Sequence, residues 1–198
     1  MLFRSLPKVD VLVIGGAMAT TFLGAEGHNV GKSLIERDQF EIARRIAEKA
    51  RAAKVTLLLP ADVVVAQEFK ANTANRMSAI NDVTPYEMIL DVGPRSIEAF
   101  GRHLKKVNTL VWNGPFGAFE TAPFDRGTNA AARAVAERTR ESGLLSVAGG
   151  GDTVAALAHA GVVDDFTYVS TAGGAFLEWL EGRILPGVAA LTSAGKRN

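Results

Sequence analysis

The 198-residue sequence contains no cysteine, which excludes thiol nucleophiles, disulfide bonds and cysteine–metal sites. The absence of cysteine also fits a reducing compartment, so we expect a cytoplasmic protein. No apolar run approaches the roughly 20 residues that cross a bilayer, and residues 1–8 lack the apolar centre of a secretion signal. These absences predict a protein without membrane association.

The sequence has little net charge, because 22 lysine and arginine residues nearly balance 21 aspartate and glutamate residues. Such a balance gives no overall field toward nucleic acid, so we expect no nucleic-acid partner, and any anion site must be local. Because 47% of the residues are hydrophobic, the chain can bury one sizeable core. We predict a monomer whose single domain covers residues 1–198.

Short β-branched and leucine-rich runs alternate with segments of helical period, a pattern typical of a Rossmann-like α/β fold. The runs predict buried strands at residues 11–14, 55–59, 63–65, 88–92, 109–112, 145–148 and 166–169. The helical segments are residues 38–53, 94–106, 127–141, 153–160 and 174–180. We therefore predict a three-layer αβα fold with a doubly wound, mainly parallel sheet.

Local signals refine the element boundaries. Asp38, with Glu41 three residues later, predicts a capped helix start, and Gly143 predicts a helix end. Residues 71–86 show no clear periodicity, and we interpret them as an excursion between two strands.

Glycine is concentrated where four of the predicted strands end. The glycines at these ends are Gly15, Gly16, Gly114, Gly117, Gly149, Gly150, Gly151, Gly173 and Gly174. One pair alone would indicate only a tight turn, but the repetition favours a shared site. In open α/β sheets ligands bind at the carboxyl ends of strands, where glycine lets backbone N–H groups approach a phosphate. The pattern predicts a nucleotide-sized pocket.

The run Gly149-Gly150-Gly151-Asp152-Thr153 is the most informative of these turns. Its amides can form an anion nest, the Thr153 hydroxyl adds a polar group, and the following helix directs its positive end to the same place. Asp152 has two interpretations that the local pattern leaves open. It can be the N-cap of that helix, a ligand of a Mg²⁺ ion that bridges the carboxylate and a phosphate, or both.

A second run, from Trp112 to Glu120, follows another strand and places Asn113 and Glu120 at the rim of an apolar turn that Pro115 stiffens. Glu120 is either a surface glutamate or an acceptor for ribose hydroxyls.

Two common nucleotide-binding motifs do not fit. Gly27 lies one residue too close to Gly31-Lys32-Ser33 for a P-loop. Gly15-Gly16 lacks the spacing of a dinucleotide fingerprint, which argues against a nicotinamide oxidoreductase.

Several strings, in order over nearly the whole chain, resemble the phosphoglycerate kinase family. They are residues 13–22, Gly31-Lys32-Ser33-Leu34, residues 59–66, Leu90-Asp91-Val92-Gly93-Pro94, residues 112–120, residues 149–153 and residues 166–191. The resemblance implies reversible phosphoryl transfer between 1,3-bisphosphoglycerate and ADP, giving 3-phosphoglycerate and ATP in glycolysis. It also implies that this chain is the second, nucleotide-binding lobe.

The resemblance assigns roles to the residues singled out above. It implies that adenine lies against Gly15, Gly16, Leu34, Leu90 and Pro115. Asn113 belongs to the same nucleotide site, and Glu120 holds the ribose. Gly149, Gly150, Gly151 and Thr153 cradle the phosphates, with Asp152 on the Mg²⁺ that accompanies ADP or ATP. Gly173 and Gly174 are the catalytic positions, because their turn supplies amides to the phosphoryl group in flight.

The sequence departs from the family pattern in three respects. A Gly-Gly-Ala-Lys-x-x-x-Lys segment, whose lysines help to hold phosphates, is not among these residues. Ala172 stands where a glycine is usual and resists positive φ. The lobe that binds 3-phosphoglycerate or 1,3-bisphosphoglycerate is also missing.

We therefore expect nucleotide binding without turnover. The alternative is a stand-alone nucleotide-binding module without catalysis. We also predict disorder in residues 192–198.

Overall fold

The structure is a computed structural model that describes residues 6–180, 182–186 and 189. The prediction of disorder in residues 192–198 concerns residues outside this part. The strands are β1 (Val11–Val13), β2 (Thr56–Leu58), β3 (Asp62–Ala66), β4 (Asn75–Ala79), β5 (Met88–Val92), β6 (Thr109–Trp112), β7 (Leu145–Gly149) and β8 (Tyr168–Ser170). The α-helices are α1 (Gly16–Ala25), α2 (Phe40–Ala52), α3 (Pro94–Leu104), α4 (Arg126–Ser142), α5 (Gly151–Ala160) and α6 (Gly173–Leu180).

Within the part of the chain that the structure describes, hydrogen bonding groups the strands into two parallel sheets and one antiparallel sheet. Strands β1 and β2 pair in parallel, and β7 lies between β6 and β8, parallel to both. Each parallel pair is joined through a helix, as a crossover connection requires. The predicted α/β class with parallel sheets is confirmed.

Strand β3 lies between β4 and β5 and is antiparallel to both. The prediction that it belongs to a parallel sheet is therefore wrong. Only residues 67–74 separate β3 from β4. This connection is too short for a parallel crossover, which takes a dozen or more residues, so these consecutive strands pair as a hairpin. Strand β5 pairs with the other edge of β3 and runs in the same direction as β4.

Two elements have sequence patterns too weak to predict them. Strand β4, within the excursion at residues 71–86, has polar exposed residues and buries only Ser78. Helix α1 is the opposite case. Most of its residues are buried, including Thr20 and Phe22, so it shows almost no alternation between apolar and polar faces.

Three groups of buried side chains form the core. The largest joins α3, α4 and α5 to β6 and β7 and includes Phe100, Trp112, Val135, Ala148 and Leu157. A second group joins α1 and α2 to β1, and a third surrounds β3. Val13 and Leu58 pack against the largest group, so both parallel sheets border it.

Helix ends are fixed mainly by tertiary contacts. The predicted capping box at Asp38 is wrong, because α2 begins at Phe40 and Asp38 lies in a preceding 3₁₀ turn. Gly143 ends α4 in the left-handed conformation (φ 68°), as predicted. At the start of α3, the carboxylate of Asp62 accepts the backbone N–H groups of Arg95 and Ser96. No helix in the described residues is both long and apolar enough to cross a membrane.

Candidate functional site

The turns after β7 and β8 contact each other directly through their main chains. The N–H of Gly150 donates to the carbonyl of Ser170 at 3.0 Å. A Cβ added at Gly173 would lie 2.5 Å from the Cα of Gly150. Real Cβ atoms do not approach so closely, so position 173 needs glycine, whereas position 150 needs it because its φ is +104°. Gly149 ends β7 as a buried residue opposite Ser170.

The turn after β6 joins this pair. The N–H of Gly114 donates to the hydroxyl of Thr153 at 2.7 Å, which ties the β6 turn to the first turn of α5. The side-chain oxygen of Asn113 lies 3.1 Å from where a Cβ would stand on either Gly150 or Gly173. Three strand ends therefore meet around Asn113.

The turn after β1 reaches the same place from the other side. The N–H of Gly16 donates to the carbonyl of Phe116 at 3.0 Å. A Cβ on Gly15 would lie 2.3 Å from the Phe116 ring, and the carbonyl oxygen of Pro115 would lie 3.3 Å from a Cβ on Gly16. The structure thus brings together all four glycine-bearing turns that the sequence singled out.

Asp152 is exposed in the first turn of α5, and Gly150 is the N-cap of this helix, with φ 104°. The interpretation of Asp152 as the N-cap is therefore wrong. Thr153 is almost fully buried, and its oxygen accepts the Gly114 N–H. Asp152 thus belongs to the first turn of α5, whose first amides have no partner within the helix.

The two glycines at the start of α6 differ in the space around them. The N–H of Gly173 donates to the carbonyl of Thr171, whereas nothing lies within 4 Å of a Cβ placed on Gly174. Ala172 does not have positive φ, and its N–H donates to the Ser170 hydroxyl at 3.1 Å. An alanine therefore fits this position without strain.

Two of the residues predicted to contact adenine, Leu34 and Leu90, accept hydrogen bonds through their backbone carbonyls. Leu34 is 74% exposed, and its carbonyl accepts the hydroxyl of Thr20 on α1. The carbonyl of Leu90 accepts the N–H of Ala118 at 2.8 Å. Glu120 is exposed two residues farther along the same loop.

Two buried residues that the sequence interpretation missed hold the loop between β6 and α4. The hydroxyl of Thr128 accepts the N–H groups of Phe116 and Gly117 at 3.0 and 3.3 Å. The carboxylate of Asp91 accepts the N–H of Gly127 at 2.7 Å, and Gly117 has no room for a Cβ against it. No sequence signal distinguishes Thr128 from the other polar residues of its helix.

Burial raises the pKa of Asp91 to about 7, because the charged carboxylate loses hydration. Hydrogen bonds from the backbone N–H groups of Gly127 and Val92 act in the opposite direction, and the nearby charge of Asp125 adds to the increase. The loop therefore rests on a carboxyl group that titrates near neutral pH.

The candidate magnesium site at Asp152 has few protein ligands. Among the described residues there is no group of three or more histidine, cysteine or acidic side chains that could hold a metal ion. A single exposed carboxylate fits Mg²⁺ that takes its other ligands from phosphate oxygens and water, as is usual for this ion. It does not fit a structural metal with an all-protein ligand set.

Comparison with known proteins shows the family to which this chain belongs. The family model described as phosphoglycerate kinase matches residues 1–183. Among curated relatives, the phosphoglycerate kinase of Xanthobacter autotrophicus is 61% identical over 191 residues, which are 96% of this chain and 48% of that protein. That of Agrobacterium fabrum is 58% identical over 194 residues, which are 98% of this chain and 48% of that protein.

Solved structures agree with these matches. The phosphoglycerate kinase of Coxiella burnetii superposes with a TM-score of 0.91 at 46% identity, covering 98% of this chain and 49% of that chain. The phosphoglycerate kinase of Pyrococcus horikoshii superposes with a TM-score of 0.81 at 25% identity, covering 100% of this chain and 49% of that chain. The chain thus spans about half the length of the curated relatives that it matches.

Proposed function

Because this chain belongs to the phosphoglycerate kinase family, we propose that it binds Mg²⁺-ADP or Mg²⁺-ATP at the four converging turns. In this proposal it supplies the nucleotide half of reversible phosphoryl transfer between 1,3-bisphosphoglycerate and ADP. The observation that carries the proposal is the main-chain contact between Gly150 and Gly173, which places the starts of α5 and α6 side by side.

Two helix N-termini beside each other suit a polyphosphate. Each helix directs its unpaired amides and the positive end of its dipole toward the turn, and both favour an anion. At α5 these amides belong to Gly151 and Asp152, and the latter also contributes its exposed carboxylate. When bound, Mg²⁺ supplies the positive charge that makes this carboxylate compatible with phosphate oxygens.

The base side of the site is apolar. Gly15 and Gly16 present bare main chain beside the Phe116 ring and the Pro115 carbonyl. Leu34 adds an apolar side chain that is exposed. We propose that adenine lies over this surface, with Leu90 beneath the loop and Glu120 accepting the ribose hydroxyls.

Transfer of the phosphoryl group needs preorganised donors more than a protein nucleophile, because its transition state is loose and highly charged. We assign this role to the start of α6. The N–H of Gly173 is occupied by the carbonyl of Thr171, so we assign the donor role to the amide of Gly174, which lies in the first turn of α6 and has nothing within 4 Å of its Cβ position. Gly173 contributes to the site because it has no Cβ, which lets the start of α6 lie against Gly150.

We assign residues 1–198 to the nucleotide-binding domain of a longer enzyme, because the curated relatives are about twice as long. The remaining half of those relatives is the proposed source of the 3-phosphoglycerate site. The chain by itself is then a cytoplasmic, glycolytic nucleotide-binding unit without turnover.

The test is calorimetric titration of the purified chain with ADP, with and without Mg²⁺, and with NADH as a control. We expect saturable binding of ADP that Mg²⁺ strengthens, and no binding of NADH. In a coupled assay with ATP and 3-phosphoglycerate we expect no product above background. Failure to bind ADP would contradict the nucleotide site, whereas kinase-level turnover would contradict only the need for a second half.

A further inference from the structure

We propose that Thr128 is a positioning residue of the nucleotide site, which acts through the loop between β6 and α4. This inference rests on the proposed function, because the loop carries Pro115 and Glu120. Thr128 is fully buried as the third residue of α4 and belongs to no glycine-bearing turn.

The hydroxyl of Thr128 is used in an unusual way for a helix. A threonine within a helix commonly donates to a backbone carbonyl of the preceding turn. Thr139, farther along α4, does so toward Val135. Thr128 instead accepts two N–H groups from outside its helix, those of Phe116 and Gly117. Its oxygen is therefore directed at the loop.

The loop depends on such contacts because two glycines flank the segment that Pro115 stiffens. Gly114 has φ 91°, and Gly117 has no side chain to restrict it. Four of its amides have defined acceptors outside it. These are Thr153 for Gly114, Thr128 for Phe116 and Gly117, and Leu90 for Ala118. Without the Thr128 hydroxyl, the amides of Phe116 and Gly117 at the centre of the loop would lose their acceptor.

A shift of the loop centre would be transmitted to the turn after β1. The Phe116 carbonyl accepts the Gly16 N–H, and the Phe116 ring fills the space where Gly15 has no Cβ. The same ring lies 5.6 Å from the ring centres of Phe100 and Trp112, so the core side resists movement. Displacement would therefore occur on the Gly15-Gly16 side, which is the proposed base subsite.

The phosphate side has separate supports. Gly150 is held by Ser170 and by close contact with Gly173, and neither contact involves Thr128. The loss of the Thr128 hydroxyl should thus weaken recognition of the nucleoside and leave recognition of the diphosphate unchanged. A general loss of stability would affect both.

The experiment compares three variants by calorimetry with Mg²⁺-ADP and with Mg²⁺-pyrophosphate. Thr128→Val keeps the shape and removes the acceptor, Thr128→Ser keeps the acceptor, and Thr139→Val is the matched control on the same helix. We expect Thr128→Val to raise the Kd for Mg²⁺-ADP about tenfold or more and to leave the Kd for Mg²⁺-pyrophosphate unchanged. The other two variants should keep both constants within about twofold of the unchanged chain.

Three results would overturn the inference. They are an unchanged Kd for Mg²⁺-ADP in Thr128→Val, a parallel loss for both ligands, and an equal loss in Thr128→Ser. If Thr128→Val does not fold, Thr128→Cys replaces it, since a thiol is a weak acceptor. If the unchanged chain binds no Mg²⁺-ADP, the proposed function fails together with this inference. If it binds and Thr128→Val binds equally, only the positioning role fails.

Discussion

Gly173 approaches Gly150 so closely that a Cβ added to Gly173 would lie 2.5 Å from the Cα of Gly150. At the adjacent Gly174, an added Cβ would have no atom within 4 Å. Two consecutive glycines thus stand in opposite environments, and this difference can be tested directly.

Gly173→Ala should lower the free energy of unfolding by about 2–3 kcal/mol, because a backbone contact cannot yield without shifting one of the two turns. Gly174→Ala should change it by less than about 1 kcal/mol. Urea denaturation of both variants measures the difference. Equal stability of the two would contradict the contact.

Asp152→Asn should remove the part of ADP affinity that depends on Mg²⁺ and leave the unfolding transition unchanged, because the side chain is exposed. We expect the Kd measured in Mg²⁺ to rise about tenfold toward the metal-free value. The control is Asp164→Asn, an equal change of charge beyond the opposite end of α5. An identical response to Mg²⁺ in Asp152→Asn would exclude this carboxylate as a ligand.

Gly31→Ala should destabilise the protein by about 3 kcal/mol or more, because φ is +58° and a Cβ would lie 2.1 Å from the Glu87 carbonyl oxygen. Gly27→Ala separates the two causes, since its φ of +94° is also strained but nothing lies within 4 Å. For Gly27→Ala we expect only about 1–2 kcal/mol. Thermal unfolding of both proteins gives the comparison.

Asp91 should make stability depend on pH. The pKa of Asp91 is about 7 in the folded protein, compared with the ordinary value of 3.8. Between these two pH values the folded state therefore binds more protons than the unfolded state. The free energy of unfolding should therefore fall as pH rises from about 4 to 7, by up to roughly 4 kcal/mol.

Asp91→Asn does not titrate and should lose this slope. Urea midpoints of both proteins, measured from pH 4 to pH 8, isolate the contribution of Asp91 because the other groups titrate equally in both. Parallel pH profiles would contradict the raised pKa.

The buried carboxylate of Glu87 depends on Arg76, which donates to both of its oxygens at 2.7 Å. The hydrogen bonds from Arg76 lower the pKa of Glu87 to about 2, against the opposing effect of burial. The stabilisation is complete above the ordinary value of 4.5 and is lost as pH falls toward 2.

Arg76→Met should destabilise the protein at pH 7 because it leaves a buried carboxylate without its paired charge and still bonded to the Thr84 N–H. Arg102→Met is the control, because Arg102 pairs with the exposed Glu98 on the surface of α3. The Arg76 variant should have the lower urea midpoint at pH 7. A midpoint equal to that of the Arg102 variant would show that the pair contributes little.

The sequence by itself determined the alternation of strands and helices, the glycine-bearing strand ends and the family resemblance. These are properties of short segments, because hydrophobic period and turn glycines act within a few residues. The end of α4 at Gly143 was predicted for the same reason.

Tertiary structure decided what depends on partners distant in sequence. Because α5 begins at Gly151 with Gly150 as its cap, the N-cap role of Asp152 is excluded, which the local pattern alone could not decide. The antiparallel pairing of β3 follows from which strands it meets, and the loop support from Thr128 joins residues about a dozen positions apart. Such contacts form only when separate segments pack together, so no local pattern records them.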